Sequence, residues 1–535
     1  MVRRQINASE ADAQLYEQLA GHMVFANAAL RAEDAVLLQN RRGQSGLWGQ
    51  AISGDHPIAL VRIADGANIE LVRQMVQAHA YWRLKGLAVD LVIWNEDHAG
   101  YRQQLQDQIM GLVAAGVEAN VIDRPGGIFV RPAQQLSQED RILLQSVARV
   151  IVSDADGSLG EQAARRPPAP TPGPLLVAHP VQYDLIGDGD GDLQADAIDR
   201  WPFDAATEER ILDNGTGAFS ADGREYIIEP GPGGVTPAPW SNVLANAGFG
   251  CVVNDSTPGY TWAENAHEFR LTPWHNDPFG DTSGEAFYLR DEDTGKVWSP
   301  MPGPVRGEGS YRTRHGFGYS VFEHVEDGIA SELWIYVDLE QAVKYSVLRL
   351  RNRSGRPRRL SATGYVEWVL GDLGARTRMH VISEIDGASG VLTARNTYNT
   401  EFADRVAFFD ADTHGVDHEG RSITADRVEF LGRNGSMQAP AALQRQRLSG
   451  RLGAGLDPCA AIQVPVLIAI GGETETVFRL GAGRSWGDAV ALARRTRGSG
   501  AAHDALDALR MHWLRTLGTV RVETPDPAVD VLANG

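Results

Sequence analysis

Between about residue 187 and residue 480 no strong helical period interrupts a succession of short apolar runs. Gly, Pro, Asn and Asp punctuate them, which is how a chain that must turn back on itself every few residues is written. Runs such as Glu225–Glu229, Ala286–Leu289, Gly318–Glu323, Ser331–Val337, Lys344–Arg351, Arg358–Leu370, Val391–Arg395, Val406–Phe409 and Cys459–Ile470 are strand-sized. Around Tyr345–Arg351 apolar and polar residues partly alternate, the period of a half-buried strand. A large antiparallel β-sandwich over 187–480 is the architecture that satisfies this texture.

The rest of the chain follows different rules. Strand-like runs at Ile58–Ile63, Val89–Trp94 and Val150–Val152, with the PGGIFV segment, alternate with helical segments at Ile69–Lys85, Tyr101–Ala115 and Ser137–Ala148. That alternation predicts βα units and a mostly parallel sheet. A helix begins near Ser9, where Asp12 completes a capping-box-like start. The expected organisation is therefore multidomain α+β. It comprises an N-terminal helical segment (1–39), a small α/β domain (40–160), a Pro-rich linker (161–186), the sandwich (187–480) and C-terminal linker helices (481–535). AARRPPAPTPGP marks the linker, and RGSG at 497–500 divides the last helical stretch in two.

Composition removes some functions. A formal net charge of −19 disfavours a nucleic-acid partner, since phosphate neutralisation needs a basic surface. Two distant cysteines, Cys251 and Cys459, match no metal spacing and fit a reducing compartment, so a cytoplasmic location is expected. No apolar run approaches the roughly 20 residues of a spanning helix. Asp188, Asp190 and Asp192 have calcium-loop spacing, but Leu193 and Asp199 stand where that loop needs Gly and Glu. Gly43, Gly46, Gly49 and Gly54 lack the Lys-Ser/Thr of a phosphate loop. No HExxH occurs. No cofactor and no metal are expected.

Tyr226–His324 stands apart. Six tryptophans fall between Trp240 and Trp368 in or just after it. Sugars are held by aromatic faces and by planar polar groups that grip hydroxyl pairs. Trp274, His275, Asn276 and Asp277 offer that mixture on one expected loop, and Arg312, Arg314 and His315 on another. Of these, Trp274, His275, Asp277, Arg314 and His315 are the expected carbohydrate-binding residues. The alternative reading of the same residues is a tryptophan-rich core with charged turns. A separate candidate is the Asn95-Glu96-Asp97-His98 loop, which follows a strand where α/β sheets gather ligands.

The block PWSNVLANAGFGCVVNDSTPGYTW within Tyr226–His324 resembles the N-terminal β-sandwich of inverting glycoside phosphorylases of the cellobiose and chitobiose type. NRRGQSGLWGQAISGDHPIALVRI and QAHAYWRLKGLAVDLVIWNEDHAGYRQQLQDQIMGL resemble the late region of cyclic β-1,2-glucan synthases. The resemblance implies a supersandwich of galactose-mutarotase type, β-glucan of 1,2 linkage as partner, and a possible homodimer. In that family a TPD connector, here Thr524–Asp526, leads into an (α/α)6 barrel carrying the catalytic acid. No DWNDG-like acid motif is present in these rows, so no catalytic residue is transferred. The expectation is a glucan-synthase fragment without its own catalysis, with a free-standing binding module and an enzyme built on the Asn95–His98 loop as alternatives.

Overall fold

A computed structural model describes residues 2–97, 104–115, 119–167, 172–179, 209–231, 233–277, 279, 283–413 and 420–535. His98 and the Asp188–Asp192 run lie outside the described residues. The chain divides into two compact units. One comprises 1–170 with Asn396–Ala403 and Gly453–Leu456, and the other comprises the remainder from Thr171.

In the first unit, β1 (Ile58–Ile63), β2 (Asp90–Asn95), β3 (Ile128–Pro132) and β4 (Ala148–Ser153) form a parallel sheet in the order β3-β2-β1-β4. Because side chains alternate across a strand, Ala59, Val61 and Ile63 face a core that includes Val72 and Met75 of the helix Ile69–Leu84. Ile58 and Leu60 face the opposite core with Leu143 and Val147 of the helix Gln138–Val147. Both faces are covered, which is why these strands read as continuous apolar runs. The N-terminal helix, Glu10–Val24, starts with a full capping box: the Asp12 amide donates to Ser9 Oγ and the Ser9 amide to Asp12. The Gly-rich segment is a 3-10 turn, Gln44–Gln50, that buries Leu47. The Tyr398 hydroxyl donates to the Gly54 carbonyl and ties the distant 396–403 segment to the same unit.

The second unit is antiparallel throughout its described strands and contains sheets of eleven, five and three strands. Phe287 of the five-stranded sheet meets Phe478 of the eleven-stranded sheet, with ring centroids 5.3 Å apart. On its other face the large sheet is covered by the helices Trp486–Arg495 and Ser499–Leu517, whose Ala489, Leu492, Ala502 and Leu509 pack on Tyr336, Tyr345 and Val477. The five-stranded sheet is backed by Phe430, Leu431 and Leu443 over Tyr288 and Tyr365. The expected sandwich and the division of the last helices are both present. The strand Glu473–Gly483, absent from the runs named above, lies inside the large sheet between Val343–Asn352 and Val406–Thr413. Arg312–His315, expected on a loop, lies on the strand Tyr311–Gly316. Among the described residues no helix is long and apolar enough to cross a membrane.

Candidate functional site: an aromatic row on the small sheet

The three-stranded sheet is built from Ser241–Ala245, Phe249–Asn254 and Tyr260–Ala263. Its register places Leu244 opposite Cys251 and Cys251 opposite Thr261. These three side chains are buried. The alternate residues, Val243, Val252, Tyr260 and Trp262, therefore share the other face, where Val243 is 62% exposed.

What fixes this orientation is a buried ionic centre joining the three sheets. Thr261 Oγ1 donates to Glu285 of the five-stranded sheet at 2.6 Å, and Thr272 Oγ1 donates to the same carboxylate at 2.8 Å. Lys344 of the large sheet donates to Thr261 Oγ1 at 2.8 Å and forms an ion pair with Glu285. Removing both charges from water is costly and is offset only when pairing and hydrogen bonding are complete. Here each carboxylate oxygen has a donor. Burial also pushes the neighbouring Cys251 thiol up to about 12, which keeps it protonated.

With Thr261 pinned inward, Tyr260 and Trp262 lie on the opposite face of the sheet. Trp262 is half-buried there, and Tyr260, 9% exposed, packs between Trp262 and Trp274. The Tyr260 ring lies 5.2 Å from Trp262 and 4.7 Å from Trp274, centroid to centroid. Leu271 and Thr272 are buried and anchor the loop that carries Trp274 out. Beyond it His275, Asn276 and Asp277 are exposed. Asp277 accepts a hydrogen bond from the Phe279 amide at 2.9 Å. Of the five expected residues, Trp274 packs against Tyr260, and His275 and Asp277 follow it on the exposed loop. Tyr260 and Trp262 are aromatic residues that the sequence reading did not single out. The Tyr-Thr-Trp spacing at 260–262 was their signal, since i and i+2 on a strand share a face. The exposed Trp274 ring and the half-buried Trp262 ring can stack on apolar C–H surfaces, and the exposed His275, Asn276 and Asp277 can bond hydroxyl groups.

Arg314 and His315 are engaged inside the large sheet. Arg314 holds Glu225 through two contacts of 2.9 and 3.0 Å and approaches Glu323 and Glu332 at 3.4 and 3.5 Å. Burial opposes its charge, but these carboxylates outweigh burial and raise its pKa. His315 Nε2–H donates to the Trp240 carbonyl at 3.2 Å, leaving Nδ1 to accept from the Ser320 hydroxyl at 2.8 Å. Burial pushes this imidazole down to about 4.

In the α/β unit, Arg62 grips Glu96 with two contacts of 2.9 and 3.2 Å, and Asn95 bonds Gln106. The strand order reverses between β1 and β4, where such sheets place ligands. There the Asp154 carboxylate accepts from the Ala64 and Asp65 amides, both at 3.0 Å. Amides that could cradle a phosphate are thus occupied by the chain's own carboxylate.

A two-sheet antiparallel body backed by helices, with a small accessory sheet, is the architecture of a supersandwich. The family model for the glycosyl hydrolase 94 supersandwich domain matches residues 224–499, just over half of the chain, and the chain belongs to that family. It is similar to the cyclic beta-(1,2)-glucan synthase NdvB of Rhizobium meliloti (strain 1021), with 31% identity over 540 residues, covering 99% of this chain and 18% of the relative. It is also similar to the N,N'-diacetylchitobiose phosphorylase of Vibrio furnissii, with 27% identity over 329 residues, covering 59% of this chain and 39% of that enzyme. The chain therefore spans well under half the length of these relatives. A bacterial glucoamylase solved with acarbose superposes at TM-score 0.28 with 10% identity, covering 52% of this chain and 39% of that one.

Proposed function

We propose that this chain is the glucan-holding part of a carbohydrate-active protein of the glycosyltransferase and glycoside phosphorylase class. Bond making falls to an (α/α)6 barrel of the kind that follows the supersandwich in this family. The observation that carries this reading is the Trp262–Tyr260–Trp274 row with His275 and Asp277 at its end. The expected ligand is β-1,2-glucan, a linkage suggested by the similarity to NdvB. A neutral polymer also suits a chain whose net charge is −19. The two free, buried cysteines accord with a cytoplasmic location.

Calorimetry with β-1,2-glucooligosaccharides tests it directly. Saturable binding that falls at least tenfold in Trp262→Ala and Trp274→Ala, with melting temperatures retained, is the expected result. Undiminished binding in both variants removes the row from the site. Robust phosphorolysis of β-1,2-glucan by the purified chain overturns the division of labour.

A further inference from the structure

The second unit also holds a half-open cleft of about 900 Å³ between the edge of the large sheet and the C-terminal helices. That volume lies within the range of sites that enclose small-molecule ligands. Its sheet side presents Arg314 and Tyr319, and the Tyr319 hydroxyl donates to Glu225 at 2.6 Å. Its helical side presents Arg510 and Trp513. The roof is the helix Pro527–Asn534, bound to the strap before it by a reciprocal pair. The Val522 amide donates to Asn534 Oδ1 and Asn534 Nδ2 donates to the Val522 carbonyl, both at 2.8 Å.

Three features specify a ligand class. First, the lining carries four arginines and four carboxylates, so the cavity has no net charge and favours neither a phosphate nor a polycation. Second, those groups are planar donors and acceptors, the chemistry that pairs with vicinal hydroxyls. Third, aromatic surface is held in place beside them. The Arg510 guanidinium lies 4.8 Å from the Trp334 ring centroid and 5.4 Å from that of Tyr319, a cation–π arrangement that orders it. Trp513 closes on Gly318, where φ is +83° and a β-carbon would come within 2.4 Å of the indole Nε1. The Gly316-Phe317-Gly318 turn therefore lets the indole approach the sheet.

We infer that this cavity is a second carbohydrate site, taking a neutral pyranose oligosaccharide independently of the aromatic row. The choice of sugar rests on the glucan reading above, whereas the cavity and its charge balance do not. The experiment is titration calorimetry of the whole chain with β-1,2-glucooligosaccharides, using Arg510→Ala and Trp513→Phe on one side and the Trp262→Ala/Trp274→Ala pair on the other. Melting curves confirm folding, and Trp513→Phe keeps an aromatic ring should Arg510→Ala unfold. Two sites in the parent chain are expected. One should be lost in the row variant, and the other should weaken about tenfold in Arg510→Ala or Trp513→Phe. A single site that vanishes in the row variant and is untouched by both cavity variants overturns this inference and spares the row. A single site with the opposite response overturns the row and supports the cavity. Absence of any sugar binding overturns both, and inorganic phosphate binding that is lost in Arg510→Ala overturns the neutral ligand class.

Discussion

Trp262 fills the space above Gly250 of the neighbouring strand. A β-carbon at Gly250 would lie 2.4 Å from the indole Cζ2 and 2.8 Å from the Ala245 methyl. These residues are direct cross-strand partners, so the missing side chain at Gly250 is what gives the ring its place on the sheet. Gly250→Ala should push the indole off the surface. If Trp262 contacts glucan, affinity should fall about tenfold, about 1.4 kcal/mol, read by calorimetry beside a thermal melt. Unchanged affinity with a displaced Trp262 fluorescence signal would separate ring position from binding.

The Glu285–Lys344 pair lies beneath that row, with side chains 2% and 1% exposed. Lys344→Met leaves Glu285 as a buried carboxylate with only hydroxyl donors. Breaking a buried pair from one side costs about 3–5 kcal/mol. The double variant Lys344→Met/Glu285→Leu should recover a large part of that loss, because no charge then remains to be compensated. Urea unfolding of the two single variants and the double gives the coupling directly. Additive losses would show that the two groups do not act as a unit.

The sequence revealed some elements better than others for physical reasons. Ile58–Ile63 and the helix Ile69–Leu84 were legible because their signal is local: an apolar run between turn residues, and a helical period stopped at Gly86. Glu473–Gly483 was not, because its outer half is Glu and Thr and its end is Gly-rich. Its strand character comes from partners on both sides that are distant in sequence. The chemistry of Arg312 and Arg314 was hidden in the same way. Glu323 stands opposite Arg312 and Glu332 opposite Glu323 in register, and Arg349 stands opposite Glu332. That charged row exists only once four strands have paired. Trp274 was legible as part of an exposed loop, whereas its tilted packing on Tyr260 depended on how the loop folds back.

Two buried groups should make stability fall with pH in separate windows. His315 is held at about 4 by burial, against about 6.5 in an unfolded chain. Between those values the unfolded state binds more protons, so stability present above pH 6.5 is lost as pH falls toward 4. The loss is about 3 kcal/mol. For Glu326, burial alone would raise the carboxyl, but hydrogen bonds from His324, Lys296 and the Gly309 amide outweigh it and hold it at about 2. Its contribution is complete above about pH 4.3 and is lost as pH falls toward 2. His315→Gln should flatten the upper window and Glu326→Gln the lower one, as read by urea midpoints at fixed pH steps. A profile unchanged by His315→Gln would show that the buried imidazole is not the group titrating there.

The α/β unit supplies the last test. Its switch point between β1 and β4 is closed by Asp154, which accepts from the Ala64 and Asp65 amides. A carboxylate at that place uses the backbone donors that a nucleotide phosphate would require. Asp154→Ala should hand two exposed amides to water and destabilise the unit by about 1 kcal/mol. Asp154→Asn keeps one acceptor oxygen and should lose less. Neither the parent chain nor Asp154→Ala should bind ATP or NAD, because removing the plug also removes the support that shapes the loop. Saturable nucleotide binding by the parent chain would mean that Asp154 yields to phosphate, and the α/β unit would then be a binding domain in its own right.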